Sequence, residues 1–136
     1  MKEGSVNWKK VLTAWLLIVA AESVHGTLRR LFLVPLMGDM PSRQAGVLVG
    51  SLIIFVIALL TVRGFGMITS RQKFLAGALW VLLTVIFEVS LGLLAGYTTE
   101  RILSDYDLRQ GGLMIFGLLF MFFTPFLAAK IRRAAE

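Results

Sequence analysis

Four long apolar runs, at about 11–28, 45–62, 74–96 and 112–129, are separated by short stretches where charged residues, glycine and proline collect. Each run is close to the ~20 residues an α-helix needs to cross the ~30 Å hydrocarbon layer of a bilayer. Backbone groups in lipid find no water and must be satisfied within their own segment, so the runs are predicted to be helices. The expected fold is an all-α integral membrane protein. It forms a single membrane domain over 1–136, with transmembrane helices at about 11–30, 45–62, 74–96 and 112–129.

The polar positions that punctuate these runs occur twice. Glu22, Gly26, Asp39, Arg43, Gln44 and Gly46 are followed by Glu88, Gly92, Asp105, Arg109, Gln110 and Gly112, each pair 66 residues apart with no gap. Both copies read E-x3-G-x12-D-x3-R-Q-x-G, and the same register aligns Leu16 with Leu82, Leu17 with Leu83, Val19 with Val85 and Leu28 with Leu94. Leucine matches between apolar segments are cheap, but six polar or glycine matches in one register are not, and they indicate an internal duplication. Repeat one covers 11–66 and repeat two 74–132. Each holds two spans, so both enter the membrane in the same sense, as parallel repeats about a pseudo-twofold axis along the membrane normal. That axis would relate span one to three and two to four, and bring Glu22 and Glu88 to the centre at one depth. It would also form matched i,i+4 pairs, Asp39–Arg43 and Asp105–Arg109, at the outer ends of spans two and four.

Depth makes the glutamates conspicuous. Glu22 lies 12 residues beyond Lys10 and Glu88 15 beyond Lys73, or about 18 and 22 Å along a helix. A charged side chain near mid-bilayer costs roughly 2.5–3.5 kcal/mol on insertion scales, so each glutamate needs a partner. The symmetric donors are Arg43 and Arg109, with Gln44 and Gln110. His25 and Arg29 share the helix face of Glu22, and Thr84, Gly92 and Ala95 that of Glu88. Gly26, Gly46/Gly50 and Gly92/Gly96 are small-residue positions suited to close helix approach.

The connections carry local signals. Residues 31–37 are apolar but contain Pro35, which reads as an extension of the first helix ending there or as an interfacial piece. Residues 38–42 form a turn, with Asp39 or Ser42 capping the second span. Residues 98–110 are the most charged segment and are expected to form a short helix, lying on the membrane or folded over the bundle. The phenylalanines of the fourth span suit a packing or lipid-facing surface.

Composition narrows the classes. With 57% hydrophobic and 16% charged residues, little chain is left for a soluble domain. The net charge of +6 sits at helix ends, where it sets topology rather than recruiting nucleic acid. All five lysines join Arg63, Arg71, Arg132 and Arg133 on one side, nine basic residues against the five arginines Arg29, Arg30, Arg43, Arg101 and Arg109 on the other. This predicts a multi-pass protein of the cell's inner (plasma) membrane with both termini cytoplasmic. Residues 1–21 are laid out like a signal peptide, but Glu22 belongs to a duplicated helix, so an uncleaved first span is expected. The absence of cysteine excludes disulfides and thiolate metal sites.

The chemistry read from these residues is a proton- or cation-linked transporter or channel using a buried Glu22/Glu88 pair with His25. Arg29, Arg43 and Arg109 complete the polar site, and Asp39, Gln44, Asp105, Gln110, Gly26 and Gly92 form its framework. The alternative is a non-catalytic structural or accessory subunit, in which glutamate–arginine pairs merely hold the fold. A homo-oligomer or a larger membrane complex is the expected assembly, and no cofactor is expected. Glu22-Ser-Val-His25 also has the E-x-x-H spacing of carboxylate-bridged di-metal bundles, with Glu88 as a further ligand and a homodimer supplying a second set. The outer arginines suit an anionic head group or substrate. No nucleophile–base arrangement is visible. The copies differ at His25 (Leu91), Arg29 and Arg30 (Ala95 and Gly96), and Val34 and Pro35 (Glu100 and Arg101), where a directional function would be added. In length and span number the chain resembles small multidrug transporters and small fluoride channels. Neither family's characteristic residues can be placed on it, so the resemblance implies nothing further.

Overall fold

The computed structural model describes residues 5–134, and among them it is helical, with no strand. Four helices are long and apolar enough to cross a membrane: Trp8–Met37, Asp39–Phe65, Ser70–Leu94 and Met114–Arg133. They are built from α1 (Trp8–Leu28), a π-turn (Arg29–Leu33) and α2 (Val34–Met37), then α3 (Asp39–Thr61) with a 3₁₀ turn (Val62–Phe65), α4 (Ser70–Leu94) and α6 (Met114–Ala134). The short α5 (Thr99–Ser104) lies between α4 and α6.

The helix starts follow local chemistry. The Asn7 side chain accepts from Lys10 N at 3.2 Å, and Thr69 and Gln72 form a reciprocal capping box ahead of α4, satisfying backbone donors that have no carbonyl partner within the helix. That box starts α4 at Ser70 rather than at residue 74, which takes Lys73 into the helix and buries it. Several threonine hydroxyls inside the spans bond back to their own helix, as Thr13 does to Lys9 O, Thr27 to Ser23 O and Thr124 to Phe120 O, which satisfies them without water.

The first span departs from expectation at its outer end. Pro35 does not stop it, and the helix runs on to Met37. The π-turn before the proline, in which Val34 N–H bonds to Arg29 O, widens the helix where a proline ring would otherwise strike the preceding turn. The chain reverses at Gly38, whose φ of +87° is open to glycine. Neither Asp39 nor Ser42 caps α3. Asp39 is already its first residue, and the Ser42 hydroxyl donates to Asp39 O at 2.8 Å. Pro41 falls in the first turn of α3, where its missing N–H leaves no hydrogen bond unmade.

α6 packs most extensively, against α3 and α4, while α1 packs against α3. α1 and α4 touch little and are tied by two indoles: Trp80 Nε1 donates to Val11 O and Trp15 Nε1 to Thr84 Oγ1, both at 3.0 Å. The apolar core gathers toward the end that carries the chain termini, around Val11, Ile18, Ala58, Phe65, Ala76, Trp80 and Met121. Asn7 N–H to Phe65 O, at 2.7 Å, closes that end. Phe74 stacks on Phe122 and Phe126, so much of the phenylalanine run of α6 is packing surface. Leu48, Leu52, Leu60, Leu82 and Leu93 point outward and are more than half exposed, as a lipid-facing surface would be.

The tightest helix contact was not marked by any small-residue pair. A β-carbon at Gly77 would meet Phe122 O at 2.0 Å, whereas one at Gly26 would meet nothing within 4 Å. Gly77→Ala is therefore expected to lower thermal stability in detergent by about 1–3 kcal/mol, as overpacking against backbone does. Gly26→Ala should leave the melting temperature unchanged or slightly raised. Equal melting of the two variants would contradict this packing.

Candidate functional site

Above the apolar core the bundle opens into a cavity of about 200 Å³ between α1, α3, α4 and α6. Its polar lining is Glu22, His25 and Arg29 from the first span, Arg43 and Gln44 from the second, Glu88 from α4, and Asp105 from the segment after α5. Thr84 and Met121 also line it, and the Thr84 hydroxyl, which accepts from Trp15, donates to Met121 Sδ at 3.4 Å.

Gly46 and Gly50 make the room. A β-carbon at Gly50 would meet Glu22 Oε2 at 2.6 Å, and one at Gly46 would meet Arg29 Cδ at 3.1 Å and His25 Cε1 at 3.6 Å. The pair was expected to let two helices touch. It instead forms a groove in α3 that receives the polar side chains of α1. Glu22 and His25 are half-buried and Glu88 is exposed, so the three side chains line an open cavity and do not form a sealed centre. The sparse contact between α1 and α4 leaves the face of Glu88 without a helix across it.

The arginines go to aspartates. Arg43 lies 3.1 Å from Asp39 Oδ2 through Nη2, and its Nη1 donates to Asp105 Oδ1 and to Ser104 Oγ. Arg101 takes the other oxygen of Asp39 at 3.3 Å while lying over the Tyr97 ring, 5.0 Å from its centroid. The expected Asp39–Arg43 pair is present, but the Asp105–Arg109 pair is not. Asp105 is drawn to Arg43, and Arg109, with a side chain 92% exposed, turns to Asp107 at 3.4 Å. Arg109 does not line the cavity.

None of the donors expected at the glutamates reaches one. Gln44 donates to Gly111 O at 2.8 Å, Gln110 to Asp107 at 3.0 Å, and Arg29 to Ser42 Oγ at 3.0 Å. Among the described residues neither glutamate joins an ion pair, and Glu22 Oε1 is buried with no hydrogen-bond partner. Gly26 borders the cavity, but Gly92 is covered by Ile102, whose Cγ1 lies 3.0 Å from where its β-carbon would be. Gly96 ends α4 at φ +84° and pairs with nothing. No three His, Asp or Glu side chains among the described residues are grouped to hold a metal ion, which leaves the E-x-x-H spacing without the further ligand it needs.

The segment 98–110 folds over the cavity. Thr98 caps α5 by accepting from Arg101 N, Ser104 is buried, and Met114 N–H bonds to Asp105 O at 3.1 Å. Sequence reasoning missed Ser104 and Tyr106. Burial pushes the Tyr106 phenol above its ordinary value, and the nearby Glu88 and Asp105 carboxylates push it further. Asp107 is held low by the hydrogen bond from the Gln110 side chain and that from the Arg109 backbone N–H. No known protein family, curated protein or solved structure matches this chain.

Arg43 and Arg109, 66 residues apart in the sequence, differ in burial and partners. Arg43→Gln leaves Asp39 and Asp105 without their shared cation and is expected to lower stability by about 2–4 kcal/mol, reduced from a fully buried pair by the exposure of both carboxylates. Arg109→Gln should stay within about 0.5 kcal/mol. Thermal unfolding in one detergent compares them, and similar losses would put Arg43 outside the junction described.

Tyr106 supplies an optical test of the cavity's charge. In a Tyr97→Phe background, its absorbance titration should have a midpoint above the usual ~10. Because the folded value is raised, stability is full below the unfolded value and falls as pH rises toward the folded one. Glu88→Gln should lower the midpoint without returning it to ~10, since burial is the larger cause. A midpoint indifferent to Glu88 would separate the two residues.

Proposed function

We propose that this chain is a small polytopic membrane protein that moves protons or a small cation through the cavity. Glu22 and Glu88 are its carrier groups, with His25 beside them. The observation that carries the reading is the Glu22 carboxylate. Its Oε1 is buried without a donor in a cavity that Glu88 also lines, while nearby arginines are engaged elsewhere. A carboxylate oxygen in that position is stabilised by taking up a proton or a cation. Exposure of Glu88 gives the site an opening for exchange. Arg29 and Arg43 line the same cavity and raise the barrier to a second cation.

Glutamates serving only as framework would be bound by the neighbouring donors. The ion pairs of this outer end join arginines to aspartates instead, which favours transport over the accessory-subunit reading.

The duplication belongs to the same proposal. Contacts between the copies join positions close to the repeat offset of 66: Arg43 to Asp105 and Arg101 to Asp39 at 62, Gln44 to Gly111 at 67, and Trp15 to Thr84 and Trp80 to Val11 at 69. Such spacings support two copies that cross in the same sense and lie level with each other. The lysine-rich end then faces the cytoplasm, with the cavity toward the opposite leaflet.

The test is proton and monovalent-cation flux in proteoliposomes under an imposed gradient. Wild-type vesicles should conduct, and Glu22→Gln and Glu88→Gln should each fall to the level of empty liposomes while melting like wild type. Sealed wild-type vesicles, or unchanged flux in folded Glu22→Gln, would refute the proposal.

A further inference from the structure

A second cavity, of about 300 Å³, lies at the other end of the bundle, where the chain termini are. It sits between the end of the second span, the start of α4 and the end of α6. Its basic lining is Arg63, Lys73, Arg132 and Arg133, and its wall of Val62, Met67, Ile68 and Ala129 is apolar. None of the described lining residues is acidic.

Two of these cations are in positions that a bare bundle does not explain. Lys73 is only 7% exposed, and the contact its ammonium makes is with the face of Phe126, 5.8 Å from the ring centroid. A ring face attracts a cation but offers no lone-pair acceptor to the three N–H donors of the ammonium. Arg132 Nε is buried with no hydrogen-bond partner. A long cationic side chain at a helix end ordinarily snorkels to water; these two are held inward at a cavity instead. Buried donors on a positive group call for an anion.

We propose that this cavity binds a phosphate group, with Lys73 and Arg132 as its inner ligands and Arg133 at its rim. Guanidinium and ammonium donors match the oxygens of a phosphate, and basic pockets between transmembrane helices are suited to anionic head groups. The apolar wall beside the cations fits an amphiphile, so the two sources to separate are an anionic phospholipid head group and a free phosphate ion. Neither depends on transport through the first cavity.

The experiment uses the full chain in a zwitterionic detergent, with retention of phosphatidylglycerol and phosphatidylcholine counted by native mass spectrometry. Melting is followed in parallel with added inorganic phosphate. Wild type should retain phosphatidylglycerol over phosphatidylcholine, and Arg132→Gln/Arg133→Gln should lose that preference at least tenfold while still folding. Stabilisation of wild type by inorganic phosphate, absent in the double variant and without lipid preference, would assign the same pocket to the free ion. Lys73→Met keeps the apolar stem and supplies a second variant if the double one folds poorly; wild-type competition between phosphatidylglycerol and inorganic phosphate needs no variant. Equal retention of both lipids together with no response to phosphate, or binding unchanged in folded variants, would overturn the proposal.

Discussion

The half of this molecule that holds the polar cavity depends on the Arg43 guanidinium. It stands at the start of the second span and holds Asp39 on its own helix and Asp105 in the segment that follows α5. Charge, geometry and position act together here. An arginine presents a rigid fork of donors, so one residue can tie two carboxylates and the Ser104 hydroxyl without bending any helix. Arg101, on α5, reaches the remaining oxygen of Asp39. The two halves are thus joined by a short alternating chain of charges, and the segment 98–110 is fastened across the bundle.

The junction also decides what happens deeper in. Each cation engaged by an aspartate is lost to the glutamates, and the side chains sort by reach. Arg43 lies at the outer end of α3, beside Asp39 one turn away. Glu22 sits lower, on Gly50. The aspartates take the arginine, and the glutamates face the cavity unpaired. The lack of a β-carbon at Gly46 and Gly50 adds a steric cause, because it gives Glu22, His25 and Arg29 a place between the helices. Volume and charge therefore produce the cavity jointly.

Much of this was legible in the sequence, and the unread part has a common cause. Four spans followed from run length, because a bilayer fixes how long an apolar helix must be. Of the polar-site residues read from register and helical spacing, Glu22, His25, Arg29, Arg43 and Glu88 line one cavity, joined by Gln44 and Asp105 from the expected framework, while Arg109 lies outside it. Partner choice was not legible. Arg43 and Arg109 share an aspartate four residues before, a glutamine one after and a glycine three after, yet one is enclosed and the other is exposed. What differs is the connection before each. α2 and a glycine turn lead straight into α3, whereas α5 and a 3₁₀ turn carry Asp105 inward and leave Arg109 outside. Helix ends were misplaced where a cap or a π-turn intervened, at Ser70 and at Pro35, since both act through hydrogen bonds that hydropathy does not register.

The two ends of the bundle use opposite means to tolerate charge in an apolar environment. At the cavity end Arg43 and Arg101 are interleaved with Asp39 and Asp105, while Arg29 and Arg30 donate to a hydroxyl and a carbonyl and the two glutamates join no ion pair among the described residues. At the end with the termini the described lining of the cavity is of one sign, and Lys73 faces the ring of Phe126. Between the two lies a dry layer of Val11, Ile18, Trp80 and Met121, closed by the two indole hydrogen bonds. A layer of that kind has low permittivity and screens charge poorly, so each end has to compensate its charges locally, with the groups it holds there.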